Sequence, residues 1–138
     1  MTKMLLDTNV LSELVRPKPD PKVQAFVRAQ TDPLISALTI HAIVFGAERA
    51  ADPARRAKLI AWVAAIQSQF AGRVIDIDAN VAEQAGRLRA NASLQGVNTD
   101  PIDALIAACA ISRSAAIATC NVRDFAPLGV SIVDPWAS

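Results

Sequence analysis

An alternation constrains this chain more than any other feature. Short apolar runs occur at Met4-Leu5-Leu6, Leu34 to Leu38, Val74 to Ile77, Ala116 to Thr119 and Val130 to Val133. Longer segments with helical periodicity or helix-start signals separate them. Runs this short suit buried strands rather than helices. Strands alternating with helices imply βαβ units, so the chain is expected to build an α/β fold around a parallel sheet.

The helices read from local signals. Asn9 to Val15 is stopped by Arg16-Pro17-Lys18-Pro19, because proline cannot continue a helix. Pro21 to Ala29 carries Val23, Phe26 and Val27 on one stripe. Thr39 is expected to cap a helix reaching about Ala50. Asp52-Pro53 opens a long one, in which Leu59, Trp62, Val63, Ile66 and Phe70 recur at helical spacing before Gly72 ends it. Asp78 caps a helix to about Ala92, and Asp100-Pro101 opens another to about Ser112.

With 138 residues, no repeat and no linker, the chain is expected to be one domain spanning residues 1–138. A formal net charge of +1 excludes a global basic field, so any nucleic-acid site must be a local patch or a metal site. The longest apolar stretch, Ile102 to Thr119, contains Asp103, Ser112 and Arg113 and would not span a bilayer. The apolar start is too short for a signal-peptide core. A soluble cytoplasmic protein with no membrane partner follows, with Cys109 and Cys120 as reduced core thiols.

The acids stand out by position. Asp7 ends the first strand, Asp103 falls in the first turn of the helix before strand four, and Asp124 follows strand four after a short link. Parallel strands present their carboxyl ends at one edge, where ligands bind in such sheets. Carboxylates gathered there would repel one another unless a cation sat between them, and all-oxygen ligands suit Mg²⁺ or Mn²⁺. Such an ion can activate water against a phosphodiester. Thr8, Asn9, Thr119 and Asn121 are neighbouring polar groups that could position water and phosphate. Each acid also fits a helix N-terminus, where carboxylates are stabilised without any further role. The residues alone leave both readings open.

Four segments resemble the motifs of VapC-type PIN-domain toxins, in order and properly spaced: Leu5-Leu6-Asp7-Thr8-Asn9-Val10-Leu11-Ser12-Glu13-Leu14, Thr39 to Arg49, Asp103 to Ala110, and Thr119-Cys120-Asn121-Val122-Arg123-Asp124-Phe125. The closing Val133-Asp134-Pro135-Trp136 is also similar, and the FitB-like branch is nearest. The resemblance implies a three-layer α/β/α sandwich with a parallel sheet of four or five strands. It also implies Mg²⁺- or Mn²⁺-dependent endoribonuclease activity on RNA, with Asp7, Asp103 and Asp124 as catalytic and metal-site acids. Its further implications are a homodimer, a VapB-type antitoxin partner forming a heterotetramer or larger assembly, and DNA contact only through that antitoxin.

One position departs from the pattern. The second motif of the family carries glutamate where this chain has Ala42. A methyl group can neither bind a cation nor hold its water. Glu48 lies about 240° further around an ideal helix and His41 about 100° away, so neither replaces the lost carboxylate. The resemblance therefore implies an impaired nuclease, through natural loss or through replacement of a glutamate to make a toxic enzyme tolerable. The intact remaining motifs favour replacement. A catalytically silent PIN domain that only binds its antitoxin is the competing class. A phosphoacceptor receiver domain would need an acid pair at the first strand and a lysine near the last, and neither is present. A haloacid-dehalogenase-type phosphatase would need a second aspartate at position 9, where Asn9 stands. Among the basic residues, Arg16 to Lys18, Arg55-Arg56 and Arg87/Arg89 are candidate phosphate contacts.

Overall fold

The computed structural model describes residues 2–137. Its strands are β1 (Lys3–Leu6), β2 (Ile35–Ser36), β3 (Val74–Ile75), β4 (Ala115–Ala118) and β5 (Ile132–Val133). β1 pairs in parallel with β4, β4 with β5, and β2 with β3. A parallel bridge at Leu5 and Leu34 joins the two groups, with Leu6 N donating to Leu34 O and Leu34 N to Met4 O, both at 2.8 Å. The five strands thus run β3-β2-β1-β4-β5, all parallel, as the alternation predicts.

The helices are α1 (Thr8–Leu14), α2 (Pro21–Ala29), α3 (Ala37–Glu48), α4 (Pro53–Gln69), α5 (Ala79–Leu94), α6 (Pro101–Ser112) and the short α7 (Val122–Phe125). Strand side chains alternate between faces. Leu5 and Ile117 join one apolar cluster with Val81 and Ala85 of α5, Ala104 and Ala107 of α6, and Phe125. Met4, Leu6, Ala116 and Ala118 join another with Val10, Leu11, Ile43, Val63 and Phe70, from α1, α3, α4 and its C-cap. Helices therefore cover both faces, giving the α/β/α sandwich. Alanine-rich sequence makes the contact between α6 and the sheet close, because Ala104, Ala107, Ala108 and Ala110 are all fully buried.

Two boundaries differ from expectation in ways that matter. The second strand ends at Ser36, not Leu38, because the Ser36 hydroxyl caps α3 by accepting from Thr39 N at 3.3 Å. Thr39 is therefore buried in the first turn rather than being the cap, and Ala42 falls in the second turn, not the first. The third strand stops at Ile75, and strands four and five shift to residues 115–118 and 132–133. The short link after strand four runs into α7, which Asn121 precedes as N-cap with Asp124 in its first turn, and the 3₁₀ turn Ala126–Leu128 follows. Cys109 is buried as expected, but Cys120 is exposed, because it follows β4 onto the sheet edge.

Leu5 is fully buried in the central strand. Leu5→Ala should lower the unfolding free energy by about 3 kcal/mol through lost transfer energy and the cavity left behind. The equivalent change at Leu94, 87 % exposed, should cost less than about 0.5 kcal/mol. Urea unfolding of both variants measures the contrast.

Candidate active site

β1 and β4 run side by side, so the residues that follow them, Asp7 and Thr119, meet at the carboxyl edge. Asp7 is 5 % exposed and Thr119 fully buried. The carboxylate of Asp7 caps α1, with Oδ1 accepting from Thr8 N at 2.8 Å. Its Oδ2 accepts from Thr119 Oγ1 at 2.8 Å and from Asn9 Nδ2 at 3.2 Å. Thr119 Oγ1 in turn accepts from Asn9 Nδ2 at 3.1 Å and from Asn121 N at 3.0 Å. A hydroxyl has one donor and two acceptor sites, so Thr119 is fully satisfied and its proton must point at Asp7. Three of the four lone-pair directions of Asp7 are used, and one is left for a ligand.

Asp7 therefore caps α1 and still has one lone pair open. Burial raises its pKa from the ordinary carboxylate value, and the Thr119, Thr8 and Asn9 bonds lower it by less. A residue needed only as a cap would lie nearer water, where its charge is cheap.

Asp103 is half-buried in the first turn of α6, which Asp100 caps by accepting from Ile102 N at 2.7 Å and Asp103 N at 3.4 Å. The Asp103 side chain takes no part in that cap. Burial, then the charges of Asp100, Asp124 and Asp7, push its pKa up to about 6. The three acids are thus close enough to feel one another, and Asp100 adds a fourth charge that looked purely structural in the sequence. Asp103 and Asp124 line one pocket of about 480 Å³ with Asp100 and Arg123. Asn121 stands at the N-cap of α7 without making a side-chain cap bond.

A second cleft, of about 600 Å³, opens beside Asn9 and Cys120 and is walled by Ala42, Glu13, Trp62 and Trp136. Ala42 is half-buried there. One turn earlier on the same helix, the Thr8 hydroxyl donates to Thr39 Oγ1 at 3.2 Å, which fixes α3 against the start of α1. His41 and Glu48 are both exposed. Glu13 is 7 % exposed. Its Oε1 accepts from Arg16 at 3.2 Å and its Oε2 from Asp20 N at 2.9 Å, so it holds the turn between α1 and α2. Only the i, i+3 spacing of Glu13 and Arg16 hinted at this.

The donor set is all oxygen, which suits a hard divalent cation. Among the described residues, no three acidic, histidine or cysteine side chains converge closely enough to enclose an ion directly. Mg²⁺ commonly keeps several waters and takes only one or two carboxylates, so the open lone pair of Asp7 and the unbonded side chains of Asp103 and Asp124 fit such an ion.

The structure is thus a parallel α/β/α domain with carboxylates at the carboxyl edge of its sheet, the edge at which such domains bind ligands. The profile described as PIN domain matches residues 4–129. The chain belongs to the PIN-domain family, among its VapC-type toxins. It is 33 % identical over 138 residues to the tRNA(fMet)-specific endonuclease VapC of Shigella flexneri, covering 99 % of this chain and 100 % of that one. The crystal structure of FitAcB from Neisseria gonorrhoeae superposes with a TM-score of 0.94 at 30 % identity, covering 98 % of this chain and 99 % of its counterpart. DNA-bound VapBC from Salmonella typhimurium gives 0.79 at 29 % identity, covering 98 % and 99 %. Among the described residues, no helix is long and apolar enough to cross a membrane.

Because the pKa of Asp103 is raised when folded, its protonated form favours folding. That contribution is complete below the ordinary value of 3.8 and is lost as pH rises through about 6. In metal-free buffer, Asp103→Asn should therefore melt at a higher temperature than the parent at pH 7.5, with the gap closing by pH 4. A gap that widens towards acid would show that Asp103 is not crowded by other acids.

Proposed function

We propose that this chain is the toxin of a toxin–antitoxin pair and a Mg²⁺- or Mn²⁺-dependent endoribonuclease, impaired by Ala42. The observation that supports it most is the gathering of Asp7, Asp103 and Asp124 at one sheet edge, where the charges of Asp124 and Asp7 make Asp103 harder to ionise. The bound ion would supply Lewis acidity towards a phosphodiester and lower the pKa of a water. Asp7, Asp103 and Asp124 would hold it. Thr119, Asn9 and Thr8 fix the Asp7 carboxylate in one orientation, and the Asn121 amide, whose oxygen accepts from the Cys120 thiol at 3.8 Å, would position water or phosphate through its NH₂ group.

The neutralising partner is a small VapB-type antitoxin whose tail presents an arginine or lysine to the acids. Such a cation replaces the charge of the metal without supporting hydrolysis. A homodimer binding two antitoxins gives the heterotetramer, with DNA reached through the antitoxin, and the pair acts in the cytoplasm. The silent, antitoxin-binding reading is favoured by one observation, the methyl group of Ala42 in the wall of the cleft beside Asn9.

Ala42→Glu separates the two. A carboxylate returned to that wall should raise Mg²⁺ affinity and increase cleavage of a mixed RNA pool by about a hundredfold, the scale set by correct positioning. Expression without antitoxin should become toxic. Adding Asp7→Asn to that variant should abolish the gain. Equal and negligible cleavage by both forms across Mg²⁺ and Mn²⁺ concentrations would leave only the binding module.

A further inference from the structure

We propose that Arg123 is a substrate-positioning residue whose guanidinium holds an RNA phosphate beside the acid cluster; this rests on the nuclease reading above. Arg123 lines the 480 Å³ pocket with Asp100, Asp103 and Asp124, while Asn98 and Thr99 form the wall contributed by the loop before α6. An arginine among three aspartates would ordinarily be spent on one of them. Arg123 is not. The ion pairs among the described residues are Arg16 with Glu13 and Arg87 with Glu83, and no side-chain hydrogen bond engages Arg123.

Other arginines are occupied in ways Arg123 is not. Arg16 anchors Glu13 and Arg87 pairs along α5. Arg73 donates to the Pro33 and Gln69 carbonyls and lies over Phe70, and Arg49 lies over Phe45. Of the basic sets expected to hold phosphate, two are thus partly consumed by structure, and Arg55 lines the other cleft.

A cluster of carboxylates repels the phosphodiester it is meant to cut. One divalent ion offsets part of that charge, and a cation at the rim offsets more. Guanidinium is suited to this because its fixed fork donates two parallel hydrogen bonds to phosphate oxygens. Arg123, Asp103 and Asp124 line the same pocket, so a phosphate held by Arg123 there lies next to the acids. The Asn98 amide and Thr99 hydroxyl add uncharged donors on the facing wall, which fit a sugar–phosphate strand without adding repulsion.

The probe is a fluorescein-labelled, mixed-sequence single-stranded RNA, titrated by anisotropy at several KCl concentrations, with Ca²⁺ replacing Mg²⁺ to suppress cleavage. Arg123→Gln should weaken binding about tenfold. It should also flatten the slope of log affinity against log salt by about 0.7, the release expected for one phosphate contact on a single strand. Arg123→Lys should restore the slope but only part of the affinity. Arg87→Gln on α5 should change neither. Arg123 is exposed, so an unchanged melting temperature will accompany each variant. In the Ala42→Glu form, Arg123→Gln should raise KM more than it lowers kcat. Parent-like affinity and slope in Arg123→Gln, with RNA still bound and cut, overturn this assignment and leave the nuclease reading standing. If the parent binds no RNA at all, the nuclease reading falls and takes the assignment with it.

Discussion

The buried carboxylate of Asp7 is the node on which the sheet edge depends. It receives Thr8 N, the Asn9 amide and the Thr119 hydroxyl, so one side chain ties the end of β1, the start of α1 and the end of β4 together. Burying an ionised carboxylate costs several kcal/mol. Hydrogen bonds to charged groups return about 1.5–3 kcal/mol each. At Asp7 burial remains the larger effect, since its pKa is raised in spite of three bonds. The fold therefore holds an anion that favours a cation nearby, on a scaffold rigid enough to keep it pointing one way.

The same strain extends outwards. Asp103 ionises reluctantly because Asp100, Asp124 and Asp7 surround a group already partly withdrawn from water. Uncompensated repulsion of this kind lowers stability at neutral pH. It is what a site gives up when it is built to gain binding energy from a divalent ion or from a cationic partner residue.

Much of the architecture was legible because its signals are local. Asp52-Pro53, Asp78 and Asp100-Pro101 mark helix starts that the structure reproduces with the expected cap bonds. Where reading failed, two local signals competed. Ser36 and Thr39 are both good caps three residues apart, and only packing of Thr39 against Thr8 made Ser36 the boundary. Cys120 and Ala118 look alike in an apolar run, yet one is exposed and the other buried, because β4 ends between them. Glu13 pairs with Arg16 at helical spacing, and only its burial was beyond the sequence. Its burial depends on Arg16 and the Asp20 amide folding back over it, which no periodicity records.

The sequence by itself determined the strand and helix order, the parallel sheet and the identity of the acids, since caps, prolines and apolar periods act within a few residues. Tertiary structure decided what those acids experience. Asp100 is a cap in the sequence and a neighbouring charge on Asp103 in space. Asn9 and Thr119 are separate polar residues in the sequence and one hydrogen-bonded network with Asp7 in the fold. Arg123 is ordinary surface charge until the loop before α6 closes a pocket around it. The physical reason is range. Backbone preference is settled by neighbours along the chain, whereas desolvation, charge repulsion and pairing are settled by neighbours across it.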